Sequence, residues 1–101
     1  MDSFDLKSYM PLFLQEAKAY VVALKQKIEM NPKDVVELHR IAHTLKGQCM
    51  FMGYQELGYI AYDLQKLFKL VMDKEKAFDE NILTMRSLIG EIETKLNQIQ
   101  Q

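Results

Sequence analysis

The apolar residues of this chain recur at steps of three and four along almost its whole length, which restricts the chain to helical folds. Clear breaks interrupt this spacing at Asn31-Pro32 and at Met52-Gly53-Tyr54, and a softer break lies within residues 73–79. Amphipathic helices of this length with short connections are typical of an antiparallel up-down four-helix bundle, so the predicted fold class is all-α. The predicted helices span roughly residues 9–30, 33–51, 54–72 and 79–98.

The predicted core consists of one apolar stripe on each helix. The stripe residues, in chain order, are Met10, Phe13, Leu14, Ala17, Val21, Leu24 and Ile28; Val35, Leu38, Ala42, Leu45 and Cys49; Leu57, Ile60, Ala61, Leu64, Leu67, Phe68 and Val71; and Ile82, Met85, Ile89, Ile92, Leu96 and Ile99.

Several residues are candidates for the helix ends. Pro11 is expected in the first turn of the first helix, where its missing N–H costs little. Residues 2–7 are then a separate short turn or a frayed start. Asn31 is a candidate N-cap of the second helix and Asp79 of the fourth, since both side chains can accept from backbone N–H groups. Gly53 is a candidate C-terminal stop of the second helix.

Length and charge exclude several classes of function. The chain has 101 residues, which is one domain's worth, and we assign residues 1–101 to a single domain. Its 13 basic and 14 acidic groups give a formal net charge of −1, so no basic field points to a nucleic-acid partner. No apolar stretch approaches the ~20 residues of a membrane span, and no Gly-rich phosphate-binding motif is present. The single cysteine, Cys49, favours a reducing, cytoplasmic location.

The second helix carries the distinctive chemistry. On a helical wheel, His39, His43, Lys46 and Met50 form one row beside or opposite the core stripe. This row is therefore expected to be open to water, and the imidazole of His43 is not a core filler.

Spacing alone leaves four interpretations of His43. It is a solvated surface histidine, or half of a metal pair with His39 for which no further ligand is apparent. It is an acid–base catalyst, although a small bundle offers little concavity. Or it carries a phosphoryl group, with Lys46 neutralising the added oxygens and Gly47 leaving room for a partner's active-site loop.

The segment Met50-Phe51-Met52 allows two interpretations. The favoured one is that flexible thioethers fill gaps in the core. The other is an exposed patch that binds a partner, which makes the chain a non-catalytic helical interaction module.

The stretch Leu38-His-Arg-Ile-Ala-His-Thr-Leu-Lys-Gly-Gln-Cys-Met-Phe-Met-Gly-Tyr54 resembles the motif of histidine-containing phosphotransfer (HPt) domains. The element His-Thr-Leu-Lys-Gly at residues 43–47 and its distance to Gly53-Tyr54 both match. Upstream, Tyr9–Lys18 is similar to the opening helix of the N-terminal domain of CheA-type chemotaxis kinases. The resemblance covers residues from about 8 to 70, and the fourth helix matches only in its amphipathic pattern.

The resemblance implies that His43 is the phosphoacceptor through Nε2 and that Lys46 assists the phosphoryl group. Gln65 occupies the position where CheA-type domains have a glutamate that accepts from Nδ1, so it is a candidate Nδ1 partner without the carboxylate charge. Tyr62 stands where some of these domains have a second histidine. The residues expected to dock a partner are His39, Gly47, Met50 and Tyr62.

The partners that the resemblance implies are a histidine kinase catalytic domain and a response-regulator receiver domain. The domain is then a phosphoryl carrier without its own ATP site, metal or cofactor, and it forms part of a two-component system, with the first helix favouring the N-terminal part of a chemotaxis kinase.

Overall fold

The computed structural model of the chain describes residues 5–99. It consists of helices α1 (Leu6–Lys27), α2 (Val35–Phe51), α3 (Gln55–Met72) and α4 (Ile82–Asn97), with a 3-10 turn at Asp79–Asn81 before α4. Each helix packs against the next one along the chain, and α4 returns to α1, so the four helices surround one core. The predicted all-α four-helix bundle is confirmed.

Helix α1 begins earlier than predicted, because Asp5 caps it. The Asp5 carboxylate accepts a hydrogen bond of 2.9 Å from the backbone N–H of Lys7. As a result the helix starts at Leu6 rather than at residue 9, and it ends at Lys27 rather than at residue 30. Pro11 consequently lies more than one turn inside α1, so the prediction that it sits in the first turn is wrong. It is exposed, so its ring lies away from the core.

Helices α2 and α4 also begin at residues other than those predicted. The N-cap of α2 is Asp34, not Asn31, since the Asp34 side chain accepts from the N–H of Glu37 at 3.1 Å. Asp79 opens the 3-10 turn instead of capping α4, and the residue before Ile82 is Asn81, which makes no side-chain cap bond. The predicted stop of α2 does fall at Gly53, whose φ of +84° is one that glycine adopts without strain.

The core is made of the predicted stripes. Their central residues are buried in all four helices, and five members near the helix ends are half-buried. Three buried residues were not predicted as part of a stripe: Ile41 on the flank of the α2 stripe, Met52 at the end of α2, and Gly58 on α3. No polar or charged residue among residues 5–99 is buried, so the charges of this part lie at the surface. The five half-buried residues of the predicted stripes are Met10, Val35, Val71, Ile82 and Ile99.

Ion pairs and a loop contact connect the helices at the surface. Between α1 and α4, Lys25 Nζ lies 3.0 Å from a Glu93 carboxylate oxygen. At one end of the bundle, Lys33 donates a 2.7 Å hydrogen bond to the carbonyl of Ile28 and lies 4.9 Å from the ring centroid of Phe78. The Lys33 contacts join the α1–α2 loop to the α3–α4 loop.

Within the described residues, none of the helices combines the length and the apolar composition that crossing a membrane requires.

Candidate functional site

His43 lies on the outer face of α2, where its side chain is exposed to solvent. Its neighbours Ala42 and Leu45 are fully buried, so the core stripe passes beside His43 and does not include it. The packing of α2 therefore fixes the backbone under the imidazole while leaving the ring outside.

The imidazole of His43 contacts the side chain of Gln65, which projects from α3. The distance from His43 Nδ1 to Gln65 Oε1 is 3.3 Å, within hydrogen-bonding range. When Nδ1 carries the proton, it donates to this oxygen and leaves the lone pair on Nε2. No carboxylate in residues 5–99 forms an ion pair or hydrogen bond with the ring.

A close approach of α2 and α3 brings the His43 and Gln65 faces together. Gly58 on α3 is buried beneath the side chain of Met50 from α2. A Cβ on Gly58 would lie 2.7 Å from the Met50 sulfur, a distance that real Cβ contacts essentially never show. Met50, which sequence analysis assigned to partner docking, thus uses much of its side chain to cover Gly58. Gly58 shares an α3 face with Tyr62 and Gln65, but its role in this close approach is not predicted by the sequence motif.

Lys46 lies one turn beyond His43, and its ammonium rests near an aromatic ring of α3. Lys46 Nζ is 5.2 Å from the ring centroid of Tyr62, and Lys66 Nζ is 4.7 Å from the same centroid. Both distances are within the range of cation–π contacts. The helical periodicity of the sequence gives no signal for the participation of Lys66.

Gly47 is exposed, and a Cβ built on it would meet no side chain and no other helix of residues 5–99 within 4 Å. Packing within the described residues therefore does not require a glycine here. Beside it, a groove of about 220 Å³ opens between α1 and α2. The groove is lined by Tyr9, Phe13, Gly47, Gln48, Phe51 and Met52.

The three residues of the segment Met50-Phe51-Met52 differ in how far their side chains are buried. Met52 is buried in the core and Met50 is half-buried, whereas the side chain of Phe51 is 59% exposed. Phe51 contacts the Tyr9 ring edge-on with centroids 6.4 Å apart. The two thioethers therefore serve packing, and the one exposed apolar side chain of this segment is Phe51.

His39 is half-buried one turn before His43, beside a second groove of about 490 Å³ between α2 and α3. Burial lowers the pKa of His39, and the positive charges of His43 and Lys69 lower it further, while Asp73 opposes them. The groove is lined by His39, Tyr62, Gln65, Lys66, Lys69 and Leu70. In the described part of the chain, no three His, Cys, Asp or Glu side chains group in a way that could hold a metal ion.

The arrangement suits chemistry at an exposed nucleophile better than catalysis in a pocket. The imidazole of His43 contacts one amide, the Lys46 ammonium one turn away has no carboxylate partner among residues 5–99, and Gly47 presents no side chain beside them. A second protein can therefore bring a reacting group to His43 without displacing any part of residues 5–99.

Comparisons with known proteins agree with this geometry. A family model for the Hpt domain matches residues 8–101. The chemotaxis protein CheA of Bacillus subtilis (strain 168) is 30% identical over 73 residues, which are 66% of this chain and 11% of that protein. The CheA proteins of Listeria monocytogenes and Listeria innocua are each 27% identical over 96 residues, which are 88% of this chain and 16% of theirs.

The chain thus spans less than a fifth of the length of these curated relatives. No solved structure matches it. The family match nevertheless runs from α1 to beyond the end of α4 and includes the motif around His43. The chain belongs to the Hpt family, the histidine-containing phosphotransfer domains of two-component signalling.

Proposed function

We propose that His43 accepts a phosphoryl group on Nε2 and passes it to an aspartate of a response-regulator receiver domain. The observation that carries this proposal is the exposed imidazole whose Nδ1 faces the Gln65 oxygen at 3.3 Å. With Nδ1 engaged, Nε2 is the ring nitrogen that has no hydrogen-bond partner among residues 5–99. A nucleophile with this geometry needs only a correctly placed phosphoryl donor.

The proposed transfer has two steps, and in each step one bond to phosphorus forms as another breaks. The Nε2 lone pair of His43 forms a bond to the γ-phosphorus of ATP as the phosphorus–oxygen bond to ADP breaks. The ring then carries Nδ1–H and phosphorylated Nε2, and the Gln65 oxygen accepts from Nδ1–H. In the second step an aspartate oxygen attacks phosphorus, the phosphorus–nitrogen bond breaks, and neutral imidazole leaves with its electron pair on Nε2.

Lys46 and Gly47 have separate roles in this proposal. The Lys46 ammonium compensates the charge of the phosphoryl oxygens, since it lies one helical turn from His43 and has no carboxylate partner among residues 5–99. Gly47 has no side chain, so the loops around a partner's active site can reach the imidazole of His43 without a steric clash at this position.

A separate histidine kinase catalytic domain is the proposed phosphoryl donor. The chain carries no nucleotide-binding motif of its own, and any Mg²⁺ that assists transfer belongs to the kinase or to the receiver. Similarity to the CheA proteins supports a place at the N-terminal part of a chemotaxis kinase. We place this signalling in the cytoplasm.

Phosphorylation of His43 is tested directly. The protein is incubated with the catalytic domain of a CheA-type kinase and radiolabelled ATP, and the label is characterised. We expect acid-labile, base-stable label that is absent from His43→Gln and present in His39→Gln, since each variant removes one of the two histidines. Circular dichroism of both variants checks that they are folded. Label that persists in His43→Gln contradicts the assignment.

A non-catalytic interaction module is the second candidate function. The observation that favours it is the neutral Gln65 at the His43 ring, because an amide supplies no charge to make the imidazole more basic. The same experiment separates the two functions. Wild-type protein that takes up no label, under conditions in which the phosphotransfer domain of that kinase does, favours the interaction module.

A further inference from the structure

One aromatic ring beside the candidate site contacts two ammonium groups from different helices. The ring of Tyr62 on α3 has Lys46 Nζ at 5.2 Å and Lys66 Nζ at 4.7 Å from its centroid. Tyr62 is 41% exposed, so the ring is open to solvent as well as to both cations. Lys46 comes from α2 and lies one turn from His43, while Lys66 comes from α3 itself.

The two lysines differ in how their charges are balanced. Lys66 Nζ lies 3.3 Å from a carboxylate oxygen of Asp63, which offsets its charge. Lys46 has no such partner, since no carboxylate in the described range lies within ion-pair distance of its Nζ. The contact that orients the Lys46 ammonium is therefore the face of the Tyr62 ring.

An aromatic ring holds a cation differently from a carboxylate. The ring attracts an ammonium through its quadrupole and leaves the net charge of the cation in place. The attraction at an exposed site is also weaker than a charge-assisted hydrogen bond to a phosphoryl oxygen. An ammonium held by Tyr62 is thus oriented, remains fully charged, and is released when a dianion arrives on the neighbouring imidazole.

We propose that Tyr62 is a positioning residue for phosphoryl transfer at His43, which acts by holding the Lys46 ammonium beside the imidazole without neutralising it. This inference rests on the proposed function, because it assigns a role within that same transfer. Lys66 competes with Lys46 for the ring, and the Asp63 carboxylate limits the repulsion between the two ammonium groups.

The first test measures the rate of His43 phosphorylation with phosphoramidate, a small donor that needs no protein docking surface. We expect Tyr62→Leu to slow the reaction about two- to fivefold, the factor that corresponds to losing one exposed cation–π contact. Tyr62→Phe keeps the aromatic ring and is expected to react at the wild-type rate. The matched control is Tyr59→Leu, which removes another exposed tyrosine from the same helix.

A double-mutant comparison asks whether Tyr62 acts through Lys46. In the Lys46→Ala background only the Lys66 ammonium is left at the ring, and the Lys46 ammonium that Tyr62 would hold beside His43 is gone, so Tyr62→Leu is expected to have no further effect on the rate. An effect of Tyr62→Leu that is equally large in both backgrounds overturns the positioning role. So does a Tyr62→Leu rate equal to that of the wild type.

A second measurement does not depend on phosphorylation. In the NMR spectrum of the unmodified protein, the ring current of Tyr62 is expected to shift the Lys46 ε-methylene protons upfield. The shift should persist in Tyr62→Phe and disappear in Tyr62→Leu, and its absence from the wild type overturns the positioning role. Wild-type protein that accepts no phosphoryl group overturns the proposed function, whereas a labelled wild type with an unaffected Tyr62→Leu overturns this inference alone.

Discussion

The partner of His43 is an amide, and this has consequences for which ring nitrogen carries the proton. A carboxylate only accepts, so it favours the tautomer with Nδ1–H and a free Nε2 lone pair. The Gln65 amide has an acceptor oxygen and a donor NH₂ group, and a rotation of the amide satisfies the opposite tautomer equally well. Gln65 therefore orients the imidazole without selecting the nucleophilic form.

Replacing this amide by a carboxylate should increase reactivity. We expect Gln65→Glu to raise the rate of phosphorylation of His43 by about two- to tenfold, because a hydrogen bond to a charged acceptor is stronger by about 1 kcal/mol and fixes the tautomer. The rate is measured with a constant donor concentration, and Gln65→Ala serves as the comparison without a partner. An unchanged or lower rate in Gln65→Glu would mean that Gln65 does not act on the ring.

Under the proposed function, Lys46 is expected to contribute to phosphoryl transfer and not to folding. Lys46 is off the core stripe, so Lys46→Ala should slow transfer about two- to tenfold while the free energy of unfolding changes by no more than about 0.5 kcal/mol. Transfer is followed by loss of label to a receiver domain, and stability is followed by urea unfolding. Equal transfer rates would remove Lys46 from the mechanism.

His39 should make stability depend on pH in the acid range. Its pKa in the folded protein is lowered from 6.5, mainly by burial and also by His43 and Lys69. The unfolded chain therefore binds this proton first as pH falls, and folding loses stability below about pH 6.5. We expect the urea midpoint to fall less between pH 7.5 and pH 5 in His39→Gln than in the wild type. Equal falls in both proteins would show that burial does not perturb His39.

Much of the site could be predicted at the level of single residues. The wheel of α2 correctly placed His43 outside the core, and Gln65, the candidate Nδ1 partner, does lie within hydrogen-bonding range of the ring. The contact of Lys66 with Tyr62 was not predictable, because it depends on side-chain rotamers of long, flexible residues and not on helix periodicity.

At the level of elements, the residues of the candidate site lie on α2 and α3, and Gly58 allows these two helices to approach closely. Periodicity predicted the existence of all four helices, and Gly53 gave the end of α2. The starting residues of α1, α2 and α4 were misplaced because more than one polar side chain precedes each helix and the apolar periodicity does not choose between them. Asn31, for example, precedes a proline and stays outside the helix, so Asp34 three residues later becomes the cap of α2.

Two helical glycines, the exposed Gly47 and the half-buried Gly90, provide a test of docking at α2. A Cβ at Gly47 or at Gly90 meets nothing within 4 Å, so alanine at either position should stabilise its helix by up to about 1 kcal/mol. Only Gly47 lies beside His43, and we expect Gly47→Ala alone to slow transfer to a receiver domain, by about threefold or more. Thermal unfolding and transfer rates are measured for both variants.

Gly90→Ala is the control for this test, since it makes the same chemical change in α4, away from the α2–α3 face. If both variants transfer at the wild-type rate, the bare surface at Gly47 has no part in docking. If both are slowed alike, the effect comes from helix stability instead.

At the scale of the whole molecule, the only cysteine should report global unfolding. Cys49 is fully buried in the core, and burial raises the pKa of its thiol to about 12. A thiol that is neither ionised nor accessible reacts with a disulfide reagent only when the bundle opens. We expect the labelling rate of Cys49 to rise with urea in parallel with the loss of helical circular dichroism. Rapid labelling of the folded protein would contradict the packing of α2.

The position of His43 on a convex helix face limits how the domain works with two partners. A typical protein interface covers about 800 Å² on each side, which is roughly an eighth of the 6383 Å² surface of this domain. Two such footprints that share one imidazole at their centre overlap, so donor and acceptor exclude each other sterically. Under the proposed function, the donor domain must therefore leave His43 before the receiver binds, and the lifetime of the first complex sets an upper limit on the rate of transfer.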